Sequence, residues 1–431
     1  MFGATNIHAR ILHLPDFDRI GRAASILGGM TERTDILVIG GGLVGASLAI
    51  ALDAAGCDAT LVEAAAPKRE PPPRYSERNL ALARATVNGL RSLGVWPHAE
   101  AAATPIRRIH VSRVGEFGSA RLDAAEAGVD AVGWTLPARE LGHALQLRLD
   151  ACTALRRRAP ATVRALQPVE DGWLARIDDA DGERELHARL LVGADGTASM
   201  VRDALGIEAD THDYAQTLFV CTVTPERPLR GCAYERFSDD GPVALLPLTD
   251  DRAGLVMTVA ADEAERVSAL DDEAYIALAQ QRFGWRAGRL RQPGMRFAHP
   301  IRRAAARRVV GPRAVLVGNA AQTIHPIGAQ GFNLGLRDAL TLAECVIGAA
   351  DPGDADLLHA YAERRAPDRE GVMAMSHGLI RLACLPQPWL GPLRSLGLLS
   401  GALVPPLRDA LVRHGMGFRG QPPRAVLEQV P

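Results

Sequence analysis

The sequence predicts an α/β protein: a doubly wound, Rossmann-like domain interrupted by an antiparallel β-sheet domain and followed by C-terminal helices. Three observations predict it. Residues 35–40 (DILVIG) form an apolar, β-branched run ending directly in glycines, the pattern of a strand buried on both faces of a parallel sheet. That strand-to-glycine pattern returns at 190–193 and at 314–318. Between and around the returns, 106–132 and 217–260 alternate in hydrophobicity and are punctuated by turn residues, as antiparallel strands are.

Each element follows in order. Residues 43–55 set small and apolar side chains at helical spacing, and 59–63 (ATLVE) form a second short strand, completing a βαβ unit. A loop rich in Pro and Arg comes next, then a helix over about 80–93 that stops at Gly94. A helix at 141–149 and a strand at 190–192 return to the first domain. In YERFSDDGPVALLPL two β-rich runs flank a DDGP turn. After the third return a long loop leads to a helix starting near Asn333, and past Asp351 the chain reads as helices with a Pro-rich apolar tail. The predicted domains are therefore 30–105, 138–205 and 298–350 for the nucleotide-binding domain, 106–137 and 206–297 for the inserted sheet, and 351–431 for a helical cap.

Composition narrows the function. A chain of 431 residues, 47% hydrophobic and 23% charged, suits two or three folded domains. Its 49 cations, of which Lys68 is the only lysine, against 50 anions leave a net charge of −1 and no global field for nucleic acid. The six cysteines lie far apart, with no CxxC pair and no Cys/His spacing for zinc, which predicts a reduced, cytoplasmic setting and no metal. Residues 1–29 mix acids and prolines where a secretion signal needs a continuous apolar stretch, and they are read as a disordered extension outside the fold. No run of about 18 apolar residues occurs, so any membrane contact is expected to be peripheral.

Gly40, Gly42 and Gly45 form GxGxxG between strand and helix, with Glu63 standing 21 residues after Gly42. Gly40 permits the tight turn, Gly42 lets a pyrophosphate approach the backbone, and Gly45 lets helix and strand pack closely. The helix N-terminus then faces phosphates, and the Glu63 carboxylate suits ribose hydroxyls while repelling a 2′-phosphate. FAD or NAD is favoured over NADP at this site.

Two further motifs, GADGTASMVR at 193–202 and VGNAAQTIHPIGAQGFNLG at 317–335, resemble the second and third flavin fingerprints of the group A aromatic hydroxylases, the p-hydroxybenzoate hydroxylase superfamily. The resemblance spans residues 30 to about 419. Within it, SERNLALARATVNGLRSLGVW, GCAYERFSDDGPVALLPL and GNAAQT with the following HP most resemble the hydroxylases of ubiquinone biosynthesis. Most of the superfamily has Gly-Asp where this chain has Gly318 and Asn319, and Ala-His where it has Ala321 and Gln322. The Asn319 carbonyl can still accept the hydrogen bond that an Asp would accept, with one negative charge fewer near the cofactor.

The resemblance implies FAD as cofactor and NAD(P)H as co-substrate. It implies that Arg78 reaches the FAD phosphates or ribityl, that Asp195 beside Gly196 lies near pyrophosphate and ribose, and that Asn319 holds the ribityl chain. It also implies that the loop from Pro326 to Asn333 wraps the isoalloxazine, with the amides around Gly331, Phe332 and Asn333 at its N1 and O2 edge. Amides opening a helix would stabilise negative charge developing there. The implied reaction is oxygenation of a phenol by a flavin C4a-hydroperoxide, with O2 as the oxygen source and water excluded.

On the substrate side, alternation along YERF puts Tyr234 and Arg236 on one face and Glu235 and Phe237 on the other. Tyr234, Arg236 and Phe237 are the candidate substrate contacts. His325, beside Pro326 and near Gly331, is the candidate catalytic imidazole, with His299 behind it. The apolar tail at 379–407 reads either as a cap on the core or as a surface element at the inner face of the cytoplasmic membrane, serving a polyprenyl substrate. The arginines at 156–158 and 302–308 read as solvated faces or loop charges. The expected function is hydroxylation of a polyprenylated methoxyphenol in ubiquinone biosynthesis, with contact to other proteins of that synthesis. The alternatives are a phenol hydroxylase of the same superfamily acting on an untailed substrate and a catalytically silent flavin-binding subunit of a ubiquinone-synthesis complex.

Overall fold

The computed structural model describes residues 31–66, 79–384 and 391–427. Arg78 and the expected extension at 1–29 lie outside the described residues. The first strand, Glu32–Ile39, pairs in parallel with Ala59–Val62 on one side and Gly182–Gly193 on the other. Gly182–Gly193 in turn takes Ala314–Leu316 in parallel. Ile36, Leu37 and Val38 are all buried, as in a strand covered on both faces. The helix Leu43–Ala54 is apolar nearly all round for the same reason: it packs between the sheet and the helices Ala138–Asp150 and Gln330–Val346.

Several local expectations give way to tertiary pairing. Residues 79–83, expected inside a helix, form a strand antiparallel to Gly133–Pro137, and the helix spans only Arg84–Ser92. NLALA alternates, and the pairing buries Leu80 and Leu82. The run Arg156–Arg158, expected as a solvated face, is an edge strand parallel to Ala59–Val62. Its charges are met by acids near the same end of the sheet: Arg156 pairs with Asp58, just before Ala59–Val62, and Arg158 with Glu32 on the next strand but one. A hairpin of Ala161–Val169 and Gly172–Asp179 adds antiparallel strands to Gly182–Gly193, which the sequence reading did not anticipate.

The inserted sheet runs, by residue number, in the order 322–323, 297–306, 209–225, 253–260, 243–247, 232–237, 108–113 and 119–123, with 290–291 pairing at the side. Strand Phe297–Ala306 therefore belongs to this sheet and not, as the predicted boundary at 298 had it, to the nucleotide domain. It pairs antiparallel with Ala209–Pro225 from Ala306 opposite Ala209 to Phe297 opposite Val220. Conversely, Gly133–Pro137, assigned from sequence to the inserted sheet, forms a separate three-stranded sheet with Asn79–Ala83 and Thr104–Ile106. One face of the inserted sheet packs Phe219, Cys221, Leu245, Leu255 and Met257 against Tyr275 and Phe283 of the helix Asp272–Phe283. The opposite face turns toward the nucleotide domain.

Helices Ala355–Cys384, Gly391–Leu403 and Pro405–Gly415 close the C-terminal side. A buried charge network joins the first of them to the helix Gln330–Val346. Arg337 donates to both oxygens of Asp368 at 2.7 and 3.1 Å, while Arg365 bridges Asp338 and Asp368 at 2.8 Å each. All four residues are at most 2% exposed. Such a network is costly to desolvate and holds only because every carboxylate is met by guanidinium donors.

Candidate active site

Four strands of the parallel sheet end on the same edge, and each end carries a motif residue. The backbone ladder there is continuous: Gly40 N–H donates to the Val62 carbonyl, Ala194 N–H to Ile39 and Val317 N–H to Gly193, at 2.8, 2.8 and 2.9 Å. The three sequence motifs thus converge at the carboxyl ends of the strands, where open α/β sheets bind their ligands. Gly40 has φ +100°, and a Cβ there would sit 2.5 Å from the Ala194 carbonyl oxygen. A Cβ on Gly42 would meet nothing within 4 Å, so the space beside that turn is open.

Glu63 stands at the end of its strand with one carboxylate oxygen accepting the Gly41 N–H at 2.6 Å and the other the Ala65 N–H at 2.7 Å. Each oxygen keeps a lone pair, so the group is held in place yet can still accept ribose hydroxyls. Helices Leu43–Ala54 and Gln330–Val346 both begin without a side-chain cap, which leaves their first N–H groups for a ligand. Gly328 and Ala329, at φ 66° and 50°, turn the chain into the second of these helices. A Cβ on Gly331 in its first turn would again meet nothing within 4 Å. Asn319 is exposed on the turn Gly318–Ala320. Phe332 is half-buried against the nucleotide-domain core. An open glycine turn, two uncapped helix starts and a pinned carboxylate with spare lone pairs fit an FAD.

Two residues have local duties that the sequence reading did not separate from ligand binding. Asp195 accepts the Ser199 hydroxyl at 2.6 Å and the Val201 N–H at 3.1 Å, so its carboxylate closes the turn into the helix Met200–Ala204, beside Gly196 at φ +84°. The Asn333 side chain is fully used within the protein. Its oxygen accepts from Ala83 N–H and the Thr86 hydroxyl, and its amide donates to the carbonyls of Ala81 and Ala329. Only its backbone remains for a cofactor.

Between the inserted sheet and the loop 325–329 lies a cavity of about 150 Å³. Its sheet wall is Leu218, Ala233, Glu235, Ala244, Leu246 and Val256, and its floor includes His325, Pro326 and Gly328. The alternation along YERF is as expected, but the faces are assigned the other way for two candidates. Tyr234 borders the cavity, yet its ring packs at 5.7 Å from both Phe283 and His110 on the helix-covered side, and Arg236 lies against Gly284. Phe237 lies on the side of the loop 325–329, packed with Ile327 and Ile380. Glu235, which was not among the candidates, faces the cavity. Burial pushes its carboxyl up to about 7.

His325 is buried, and its Nδ1 accepts the Ile327 N–H at 3.1 Å while Nε2 lies 3.4 Å from the Gln216 Oε1. That pairing puts the proton on Nε2 and occupies the lone pair of Nδ1. Burial, and then the nearby His377, push the imidazole down to about 4, so it is neutral near pH 7. His325 therefore shapes the loop and has no lone pair free to accept a substrate proton. His299 stands exposed on Phe297–Ala306. Sequence reading also missed the task of Gln322, which is buried between Asp338, to which it donates at 2.6 Å, and Arg369, from which it accepts at 2.7 Å. The only signal was its departure from Ala-His in the third motif.

Residues 33–376 match the family described as FAD binding domain. The chain is 36% identical over 406 residues to the ubiquinone hydroxylase UbiL of Rhodospirillum rubrum, across 93% of this chain and 94% of that protein. It is 31% identical over 400 residues to the 3-demethoxyubiquinol 3-hydroxylase of Escherichia coli, across 90% and 99% respectively. Among solved structures, the p-nitrophenol 4-monooxygenase PnpA of Pseudomonas putida aligns with a TM-score of 0.76 over 91% of this chain and 100% of that one, a likeness of fold at 17% identity.

Proposed function

The chain belongs to the FAD-dependent monooxygenases of the ubiquinone-biosynthesis hydroxylase family, and from that membership we propose that it hydroxylates the ring of a polyprenylated methoxyphenol. FAD, reduced by NAD(P)H, supplies the activation of O2. The chain's own residues do the rest. Gly42 would give the pyrophosphate its approach, Glu63 would accept the ribose hydroxyls, and Asn319 would hold the ribityl chain. The N–H groups opening Gln330–Val346 would offset negative charge on the flavin ring.

The observation that carries the substrate reading is the apolar cavity over the flavin loop. Its aliphatic walls suit an alkylated aromatic ring and keep water from the reacting atoms. A polyprenyl tail must be delivered from a membrane, and the C-terminal helices present a surface for it. Val404, Leu407 and Leu411 are exposed at spacings of three and four, one stripe of a helix, and Leu393 and Leu396 are exposed on the preceding helix. No helix among the described residues is long and apolar enough to cross a membrane, so this contact would be peripheral.

Quinone profiling by mass spectrometry in a strain lacking this gene, grown with oxygen, tests the reading. Loss of ubiquinone with accumulation of a polyprenyl phenol, rescued by this chain but not by Gly42→Val, is the expected outcome. An unchanged ubiquinone pool in that strain would overturn it.

A further inference from the structure

The roof of the cavity carries a carboxyl with no partner among the described residues. Across the inserted sheet, Val111, Glu235, Ala244 and Val256 stand side by side in register. Glu235 is the only polar residue of that row. Among the described residues no cation or hydrogen-bond donor meets its carboxyl, and the shift in its acidity comes from burial alone. The neighbouring Tyr234 turns its ring to the other face, where Arg236 also lies. On the floor, His325 has its Nδ1 lone pair committed to Ile327. A phenol entering this space would lose its water, and its hydroxyl needs a replacement partner.

We propose that Glu235 holds the ring hydroxyl of the substrate and takes its proton as the ring is oxygenated, an inference that rests on the hydroxylase reading above. The phenolic O–H bond breaks and a new O–H bond forms on the Glu235 carboxyl. The electron pair left on the phenolic oxygen pushes density toward the ring carbon that receives one oxygen atom of O2. Two electrons from NAD(P)H reduce the other oxygen atom to water. The hydrogen displaced from that ring carbon leaves as a proton, and Glu235 returns the proton it took to the phenolic oxygen as the ring regains its aromaticity. A glutamate in this environment suits the task. Burial brings its acidity to about 7, closer to that of a phenol, about 10, than an ordinary glutamate near about 4.3 would be. No other ionisable group in the cavity titrates near that point: His325 sits at about 4 and burial raises the Tyr234 phenol above its usual value.

The test uses FAD-loaded wild type, Glu235→Gln, which keeps the shape, and Glu235→Asp, which keeps the acid. Binding of a 2-prenylphenol and of its methyl ether is read from the perturbed flavin absorbance at pH 8, and turnover of the phenol is followed from pH 5.5 to 8.5. Wild type should prefer the phenol to its ether by about tenfold or more, and its kcat should rise through pH 7. Glu235→Gln should keep its FAD, lose most of that preference and lose the rising limb, and Glu235→Asp should restore part of both. A Glu235→Gln protein with wild-type preference and wild-type pH profile overturns the proposal. Failure of the ubiquinone reading looks different: the quinone pool of the deletion strain stays normal while the phenol preference of the purified protein still depends on Glu235.

Discussion

Gly45 packs so closely on Gly40 that a Cβ built on it would lie 1.9 Å from the Gly40 carbonyl oxygen. The helix Leu43–Ala54 can start directly from the strand end only because no side chain stands between them.

Gly45→Ala and Gly42→Val should therefore fail in different ways. Gly45→Ala must push helix from strand, and it should lower the midpoint of thermal unfolding even without cofactor. Gly42 has φ −64° and open space around its Cβ position, so Gly42→Val should fold normally and lose FAD. Absorbance at 450 nm against protein concentration, together with a thermal melt of each apoprotein, separates the two. A Gly42→Val protein that stays yellow at full stoichiometry would contradict the cofactor site.

Asn333→Ala should destabilise the protein by about 2–4 kcal/mol, because it strands the Ala83 N–H and three other buried or half-buried partners across the junction of two elements. Urea unfolding measures this, and a change below about 0.5 kcal/mol would mean that water replaces the amide without loss.

Asp368 should account for part of the acid sensitivity. Burial by itself would raise its pKa, but Arg337 and then Arg365 outweigh that, and the net direction is down. A carboxyl depressed in the folded state stabilises above its unfolded value of about 3.9, and that contribution is lost as the pH falls through the folded value. Asp368→Asn should cost about 3–5 kcal/mol at pH 7, where it leaves the buried Arg337 without a carboxylate and Arg365 with Asp338 alone. Its stability should fall less than that of wild type between pH 5 and pH 2. Parallel acid titrations of the two proteins would disprove the assignment.

Leu393→Ser, Leu396→Ser and Leu407→Ser combined should reduce flotation with phosphatidylethanolamine and phosphatidylglycerol vesicles by at least about tenfold, since each buried leucine contributes about 1.5–3 kcal/mol. Thermal stability should be nearly unchanged because these side chains are exposed. Equal flotation of variant and wild type would remove the C-terminal helices as the membrane-facing element.

The features legible without coordinates are those that depend on neighbours along the chain. GxGxxG needs glycine for backbone reasons alone, and an apolar run ending in glycine reads as a buried strand wherever the chain goes next. The alternation that separates Glu235 and Phe237 from Tyr234 and Arg236 is equally local. Tertiary structure decided which side of that alternation meets the cavity, because it depends on which face the helix Asp272–Phe283 covers. It decided that FAHPIRRAAA, with no clear strand pattern, would pair along Ala209–Pro225. It also decided where the lone pair of His325 goes. A residue type announces the chemistry it can perform, but only packing determines whether its atoms are already occupied, and at this site the motif glycines were legible while the half-buried acid was not.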